Sequence, residues 1–182
     1  MRDPAGAGAR RLGGDRRPDR EPSAYGEIAG YGVNSDAFHI TAPSQGGAGA
    51  AACMQLALDD AGVAAEAIGH INAHGTSTEL NDAAESQAIR KVFGDAPPPV
   101  MSGKGVTGHL IGAAGAVEAI MALRAARDGI VPPTANHDQT ADDVLPLDVV
   151  HGSPRSIPRA PVLSNSFGFG GHNATLVLIP ND

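Results

Sequence analysis

The sequence predicts an α/β domain in which helices pack on a mixed β-sheet, and three observations carry that prediction. Short apolar segments alternate along the chain with longer, Ala-rich segments, as strands alternate with helices in α/β layers. The 24 glycines are too many for a plain helical bundle and fit a protein with many turns. Aromatic residues make up only 3% of the 182 residues, so small side chains must form a closely packed core.

The first 23 residues differ from the rest of the chain, and we predict that they are disordered or mistranslated. They hold six of the 13 basic residues and show no apolar periodicity. They lack the apolar stretch of a signal peptide, and their three aspartates oppose a transit peptide. A wrongly placed start of the reading frame would explain them, and the predicted domain covers residues 24–182.

The first half of this domain contains four predicted elements. Residues 25–33 form a strand, and residues 47–61 form a helix that stops at Gly62, because glycine commonly ends helices. Residues 68–73 form a short buried strand, and residues 83–93 form the next helix.

The second half continues the alternation. Three consecutive prolines form a turn, and a short strand follows at 100–102. A long helix over 110–127 begins with Ala and Gly, which permits close packing, and two prolines end it. Strands at 147–150, 161–165 and 174–179 complete the pattern, and the last two form a hairpin.

Composition excludes several functional classes. No run of 18 or more apolar residues exists, so the sequence predicts no membrane span. Beyond residue 23 the chain carries 7 basic and 16 acidic side chains, which argues against nucleic-acid binding. The single Cys53 rules out an internal disulfide, and no Cys/His spacing matches a transition-metal site such as zinc. The expected location is the cytoplasm.

Three polar motifs on glycine-rich turns are the candidate site. His74 opens the run His-Gly-Thr-Ser-Thr directly after a predicted strand. Ligands of α/β proteins often bind at the carboxyl ends of strands, although hydrogen bonds to the backbone of the turn could also explain this histidine. Thr76 and Thr78 could bind a polar ligand arm or simply cap the turn and helix. Cys53 lies on a predicted helix and is interpreted as a core residue.

The second and third motifs could stabilise negative charge. Lys104 and His109 lie in a glycine-flanked loop just before or within the first turn of the long helix. The helix's positive end favours a neutral His109, while Lys104 either holds a carboxylate or histidine or is solvated. The glycine-rich run 165–171 presents backbone N–H groups that could form half of an oxyanion hole. The alternative is that this run is an ordinary glycine-rich hairpin.

Together these motifs resemble the C-terminal half of the elongating β-ketoacyl-acyl-carrier-protein synthases, condensing enzymes of fatty acid and type II polyketide synthesis. The resemblance runs from about residue 25 to 179, through 36–41, 72–78 and 165–171. The run Gly-Gly-His-Asn at 170–173 is similar to actinobacterial members. The resemblance implies the C-terminal half of a thiolase-like fold, with a mixed five-stranded sheet.

The resemblance also implies roles for individual residues. His74 and His109 match the two active-site histidines, Lys104 matches the family's lysine, and Phe169 matches a gating residue whose N–H contributes to the oxyanion hole. Thr76 and Thr78 match the threonines that hold the phosphopantetheine arm of acyl carrier protein. A structural monovalent cation is implied at Asn72, Glu118, Ser164 and Asn165, and no tightly bound cofactor is implied.

The family's cysteine nucleophile has no match in this sequence, since it belongs to the N-terminal half and Cys53 does not align with it. One interpretation is a fragment of a 3-oxoacyl-carrier-protein synthase that is inactive without a Cys-bearing half. The alternative is a non-catalytic remnant or a partner-binding subunit. A chain-length-factor-like subunit is a third option, although the presence of both His74 and His109 argues against it. Expected partners are acyl carrier protein and either the missing half or a homodimer partner.

Overall fold

The computed structural model describes residues 10–12 and 24–181. Its four helices are α1 (Ala48–Ala61), α2 (Glu79–Phe93), the single-turn α3 (Lys104–Thr107) and α4 (Ala114–Asp128). Its strands are β1 (Arg10–Leu12), β2 (Gly26–Ser35), β3 (His70–Asn72), β4 (Val100–Met101), β5 (Ile130–Val131), β6 (Arg155–Ser156), β7 (Val162–Gly168) and β8 (His172–Pro180). None of the described helices has the length and apolarity needed to cross a membrane.

The main sheet is mixed and has the strand order β1-β2-β8-β7-β3-β4. β3 pairs in parallel with both β4 and β7, whereas β7 with β8, β8 with β2, and β2 with β1 are antiparallel. β5 and β6 form a separate two-stranded ribbon. Five strands of residues 26–180 therefore make the predicted mixed sheet, and the short β1 extends its edge.

Two layers of helix cover the two faces of this sheet. Ile71, Leu163 and Val177 share one hydrophobic cluster with side chains of α1 and α2, while Val162 and Leu178 share another with α4. Because neighbouring residues of a strand point to opposite faces, α1 and α2 cover one face and α4 covers the other. The expected close packing of small residues is present, since the buried core contains ten alanines.

Most predicted elements are confirmed, with shifted ends. α2 begins at Glu79 instead of residue 83, because Thr78 is extended and the first turn carries acidic side chains that suit a helix N-terminus. α4 begins at Ala114 instead of residue 110, because Gly108 and Ile111 have positive φ angles of 67° and 52°. The strand predicted at 147–150 is wrong: it reduces to one parallel bridge between Val149 and Val100.

Residues 1–23, predicted to be disordered or mistranslated, lie outside the described residues except for β1. Arg10 to Leu12 pair with Ile28 to Gly26 of β2, in antiparallel register.

Candidate active site

His74 lies two residues after β3, the strand between β7 and β4, and is only 5% exposed. Its backbone N–H donates to Oε1 of Glu85 at 2.9 Å, and the N–H of Gly75 donates to Oε2 at the same distance. Gly75 has a φ of 45°, and a Cβ there would lie 2.7 Å from Cβ of Ser102. This turn therefore requires glycine, and α2 fixes it through a single carboxylate.

Glu85 is the residue of this site that sequence reasoning missed. Its side chain is buried and also accepts from Nδ2 of Asn165 at 3.1 Å, which ties β7 to the His74 turn. Burial raises the pKa of this carboxyl, and the hydrogen bonds from Gly75, His74 and Asn165 act against that rise. A glutamate beside Ala84 and Ala88 on the buried face of α2 is the signal that could have identified it.

His109 lies between α3 and α4, and its ring is close to that of His74. The two ring centroids are 5.5 Å apart, and the ring planes meet at 80°. The backbone N–H of Ile111 donates to Nδ1 of His109 at 3.1 Å. Because Nδ1 accepts, a neutral His109 carries its proton on Nε2 and can donate from that side.

The surroundings of His74 hold its imidazole neutral. Burial, and then the charges of Lys104 and His109, lower the pKa of His74 to about 3. A neutral imidazole can donate one N–H without bringing an ionised group into the site. The structure therefore brings together two histidines that can each offer one hydrogen bond.

Lys104 is the first residue of α3, and it is not solvated. Its Nζ lies 2.6 Å from Oε1 of Glu118 on α4, and both side chains are buried. A buried ion pair of this kind fixes the position of both helices, since separating the partners would leave an uncompensated charge. Of the two alternatives predicted for Lys104, the structure therefore agrees with the one in which it holds a carboxylate.

In the third motif, the side chain that packs beside His74 is Phe167. The rings of Phe167 and His74 have centroids 5.8 Å apart. Two residues further on, Phe169 begins a 3₁₀ turn between β7 and β8, and its side chain is 78% exposed. The N–H of Gly170 in this turn donates to the carbonyl of Ile40 at 2.8 Å, which anchors the turn to the loop after β2.

The two threonines form a pair at the surface beside His74. Oγ1 of Thr76 lies 2.8 Å from Oγ1 of Thr78, and Thr78 is exposed. Ser77 between them has a positive φ of 58°, which turns the chain so that both hydroxyls face one another. This hydroxyl pair is accessible to a polar ligand arm.

The four candidate cation residues take part in three separate polar contacts, two hydrogen bonds and one ion pair. Nδ2 of Asn72 donates to Oγ of Ser164 at 3.1 Å, Asn165 binds Glu85, and Glu118 binds Lys104. Oδ1 of Asn72 and Oε2 of Glu118 are buried and have no hydrogen-bond partner within the described part of the chain.

Neither a transition-metal cluster nor an accessible thiol is found in the described ranges. Residues 10–12 and 24–181 contain no group of three or more His, Cys, Asp or Glu side chains that could hold a metal. Cys53 is completely buried in α1, and burial raises the pKa of its thiol. A buried, protonated thiol is a poor nucleophile, so Cys53 is a core residue.

Comparison with known proteins places these features in a family. Residues 25–138 match the family model described as "Beta-ketoacyl synthase, C-terminal domain". The chain is 50% identical over 161 residues to 3-oxoacyl-[acyl-carrier-protein] synthase 2 of Rhizobium meliloti, a match that covers 87% of this chain and 38% of the relative. The protein of the same name from Coxiella burnetii is 46% identical over 161 residues, covering 87% of this chain and 39% of the relative.

Solved structures agree. The ishigamide ketosynthase/chain length factor superposes with a TM-score of 0.84 at 45% identity, covering 88% of this chain and 39% of that one. The AntDE:AntF complex, a type II PKS acyl-carrier protein with its ketosynthase bound to the hexaketide, gives a TM-score of 0.83 at 34% identity, with 88% and 40% covered. This chain spans about two fifths of the length of these relatives. The chain belongs to the β-ketoacyl synthase family and corresponds to its C-terminal domain.

Proposed function

We propose that this domain supplies the decarboxylation site of a 3-oxoacyl-[acyl-carrier-protein] synthase. The observation that carries the proposal is the pair of imidazoles, His74 and His109, with ring centroids 5.5 Å apart just beyond the end of β3. Family membership provides the reaction, a decarboxylative Claisen condensation of malonyl carrier protein with an acyl thioester. The pathway is fatty acid or type II polyketide synthesis in the cytoplasm.

The two histidines act on the malonyl thioester. When its carboxylate leaves as carbon dioxide, the bonding electron pair remains and forms an enolate whose charge lies on the thioester oxygen. One N–H from His74 and one from Nε2 of His109 stabilise that oxygen. Burial and, to a smaller extent, the charge of Lys104 lower the pKa of His74, and Lys104 is itself held by Glu118.

The enolate carbon then attacks the carbonyl carbon of the acyl thioester, and the thiolate that carried the acyl group leaves. The backbone N–H of Phe169 is proposed to stabilise the tetrahedral oxyanion, together with an N–H next to the acylated cysteine. That cysteine must come from a second segment of polypeptide, because the one thiol of this sequence is buried in α1. Thr76 and Thr78 would hold the phosphopantetheine arm that delivers both thioesters from acyl carrier protein.

We also propose that a structural monovalent cation binds the buried oxygens beside this site. Oδ1 of Asn72 and Oε2 of Glu118 have no partner among the described residues, and such oxygens suit a hard cation. The cation would coordinate both oxygens and tie β3 to α4. We expect potassium chloride to raise the melting temperature more than tetramethylammonium chloride at equal ionic strength.

The test is release of carbon dioxide from malonyl carrier protein by this chain together with a cysteine-bearing N-terminal ketosynthase half. His74→Ala and His109→Ala should each lower the rate by about 100-fold or more, because each removes a donor to the developing charge. The exposed His172→Ala is the matched control and should leave the rate unchanged. Rates that survive both active-site substitutions would contradict the proposed site. The chain alone should show no condensation with acyl and malonyl carrier proteins.

A non-catalytic, partner-binding subunit is the second candidate, and exposed apolar side chains near the site support it. Ile40, Val106, Ile111 and Phe169 are each 75–79% exposed. Clustered exposure of this kind usually marks an interface. An acyl thioester on a co-purifying chain supports the enzyme, whereas a co-purifying chain that never becomes acylated supports the binding subunit.

A further inference from the structure

A cavity of about 270 Å³ lies between α2 and the segment 134–149. Of the residues given a role in condensation above, only Thr78 lines it, whereas His74, Lys104 and His109 do not. Gly75, Val100 and Ser102, at the ends of β3 and β4, line its inner end. The volume is just below the range of about 300–1,000 Å³ typical of pockets for drug-sized ligands. A small organic molecule therefore fits this cavity.

One wall of the cavity is a single face of α2. Glu79, Asp82, Ser86 and Ile89 all line it, and their spacings of three, four and three residues place them on one side of the helix. Two carboxylates at the start of α2 therefore lead to an aliphatic side chain further along the same wall. This order suits a ligand with a polar head and an apolar body.

The charge of the lining selects the head group. Glu79, Asp82 and Glu85 are the acidic groups, the imidazole of His137 is the one potentially basic side chain, and no lysine or arginine of the described residues lines the cavity. Glu85 already accepts from two backbone N–H groups and from the side-chain amides of Asn81 and Asn165. Oδ1 of Asp82 accepts from Nδ2 of Asn81 at 3.0 Å, so Glu79 and the second oxygen of Asp82 are left to attract a cation. The same charges disfavour a carboxylate or phosphate.

The wall opposite α2 is aliphatic and favours an alkyl chain as the body of the ligand. Val144, Leu147 and Val149 of the segment 134–149 face the cavity, and Val100 adds a further aliphatic side chain. Burying an alkyl chain against such side chains stabilises a complex by about 25 cal/mol per Å². Polar carbohydrate-like or nucleotide-like ligands would lose hydration there without gaining equivalent partners.

We propose that this cavity binds a small aliphatic amine in its protonated form, with the ammonium at Glu79 and Asp82 and the alkyl chain between α2 and Val144. The cavity shares its inner wall with the turn that holds His74, since Oγ of Ser102 donates to the carbonyl of Gly75 at 3.0 Å. A ligand bound in the cavity should therefore perturb the backbone of the His74 turn. The proposal does not depend on condensing activity.

Three probes with the same alkyl body test the proposal: hexylammonium, hexanoate and 1-hexanol. Titration of the ¹⁵N-labelled chain should show hexylammonium binding about tenfold more tightly than hexanoate, with 1-hexanol between them. The amide signals of Gly75 and Ser102 should shift with the same concentration dependence as those of α2. Equal affinity for hexanoate, or no shift of these signals at millimolar amine, would overturn the proposal.

Two variants and a control locate the site. Glu79→Gln should weaken hexylammonium binding about threefold, a modest loss because this carboxylate is exposed to solvent. Glu66→Gln removes an exposed carboxylate elsewhere on the surface and should change nothing. Val144→Phe should fill the cavity and abolish binding while circular dichroism stays unchanged. If that variant misfolds, Glu79→Gln decides: unchanged affinity in Glu79→Gln overturns the proposal.

Discussion

His70 should make the folded domain sensitive to acid. Its side chain is fully buried in β3, and neither ring nitrogen has a hydrogen-bond partner among the described residues. Burial lowers the pKa of His70 from 6.5 to about 4. The unfolded chain therefore binds a proton here at pH values where the folded chain does not. Its contribution to stability is complete above about pH 6.5 and is lost as the pH falls toward 4.

The magnitude follows from the two pKa values. Between pH 7.5 and pH 4.5 the free energy of unfolding should fall by roughly 2.5 kcal/mol on account of His70 alone. His70→Phe keeps a flat ring but cannot bind a proton, so its pH-dependent loss should be smaller by that amount. Comparing the two pH values within each variant cancels any packing change that the substitution introduces.

Urea unfolding followed by circular dichroism at pH 7.5 and 4.5 measures this difference. His74 remains in both proteins, so its own lowered pKa contributes equally to each and cancels. The exposed His172→Gln should lose as much stability as the parent chain. If His70→Phe also loses as much as the parent, then the buried ring is not the source of the acid sensitivity, and the reasoning is refuted.

Local pattern was enough to predict the elements that bury apolar side chains. β7, β8 and α1 appear where runs of small aliphatic residues indicated them, and Gly62 ends α1 in the left-handed conformation expected of a C-terminal glycine. The motif around His74 was also found from sequence, because its residue types and order are specific together. These features depend on neighbours in the chain and are therefore visible in it.

Other features depend on contacts between distant residues and could not be predicted. Glu85 holds the turn of His74 from eleven residues away and also binds Asn165, 80 residues away. The late start of α4 follows from the left-handed backbone at Ile111, and no propensity favours that conformation for a β-branched residue. Lys104 was assigned two alternatives because only the folded chain brings Glu118 to it.

Two further predictions concern the loop that carries both Lys104 and His109. Lys104→Met should lower the free energy of unfolding by about 3 kcal/mol, because it leaves Glu118 buried without a counter-charge. Adding Glu118→Leu should restore most of that loss, and urea unfolding of the single and double variants measures both effects. Ile111→Asn should raise the free energy of unfolding by about 1 kcal/mol, since asparagine tolerates the φ of 52° that strains isoleucine. Ile120→Asn is its control: Ile120 is also exposed, at 59%, but lies inside α4, so the same change there should bring no gain. Equal effects at the two positions would mean that loss of an exposed apolar side chain, and not relief of the backbone, explains the result.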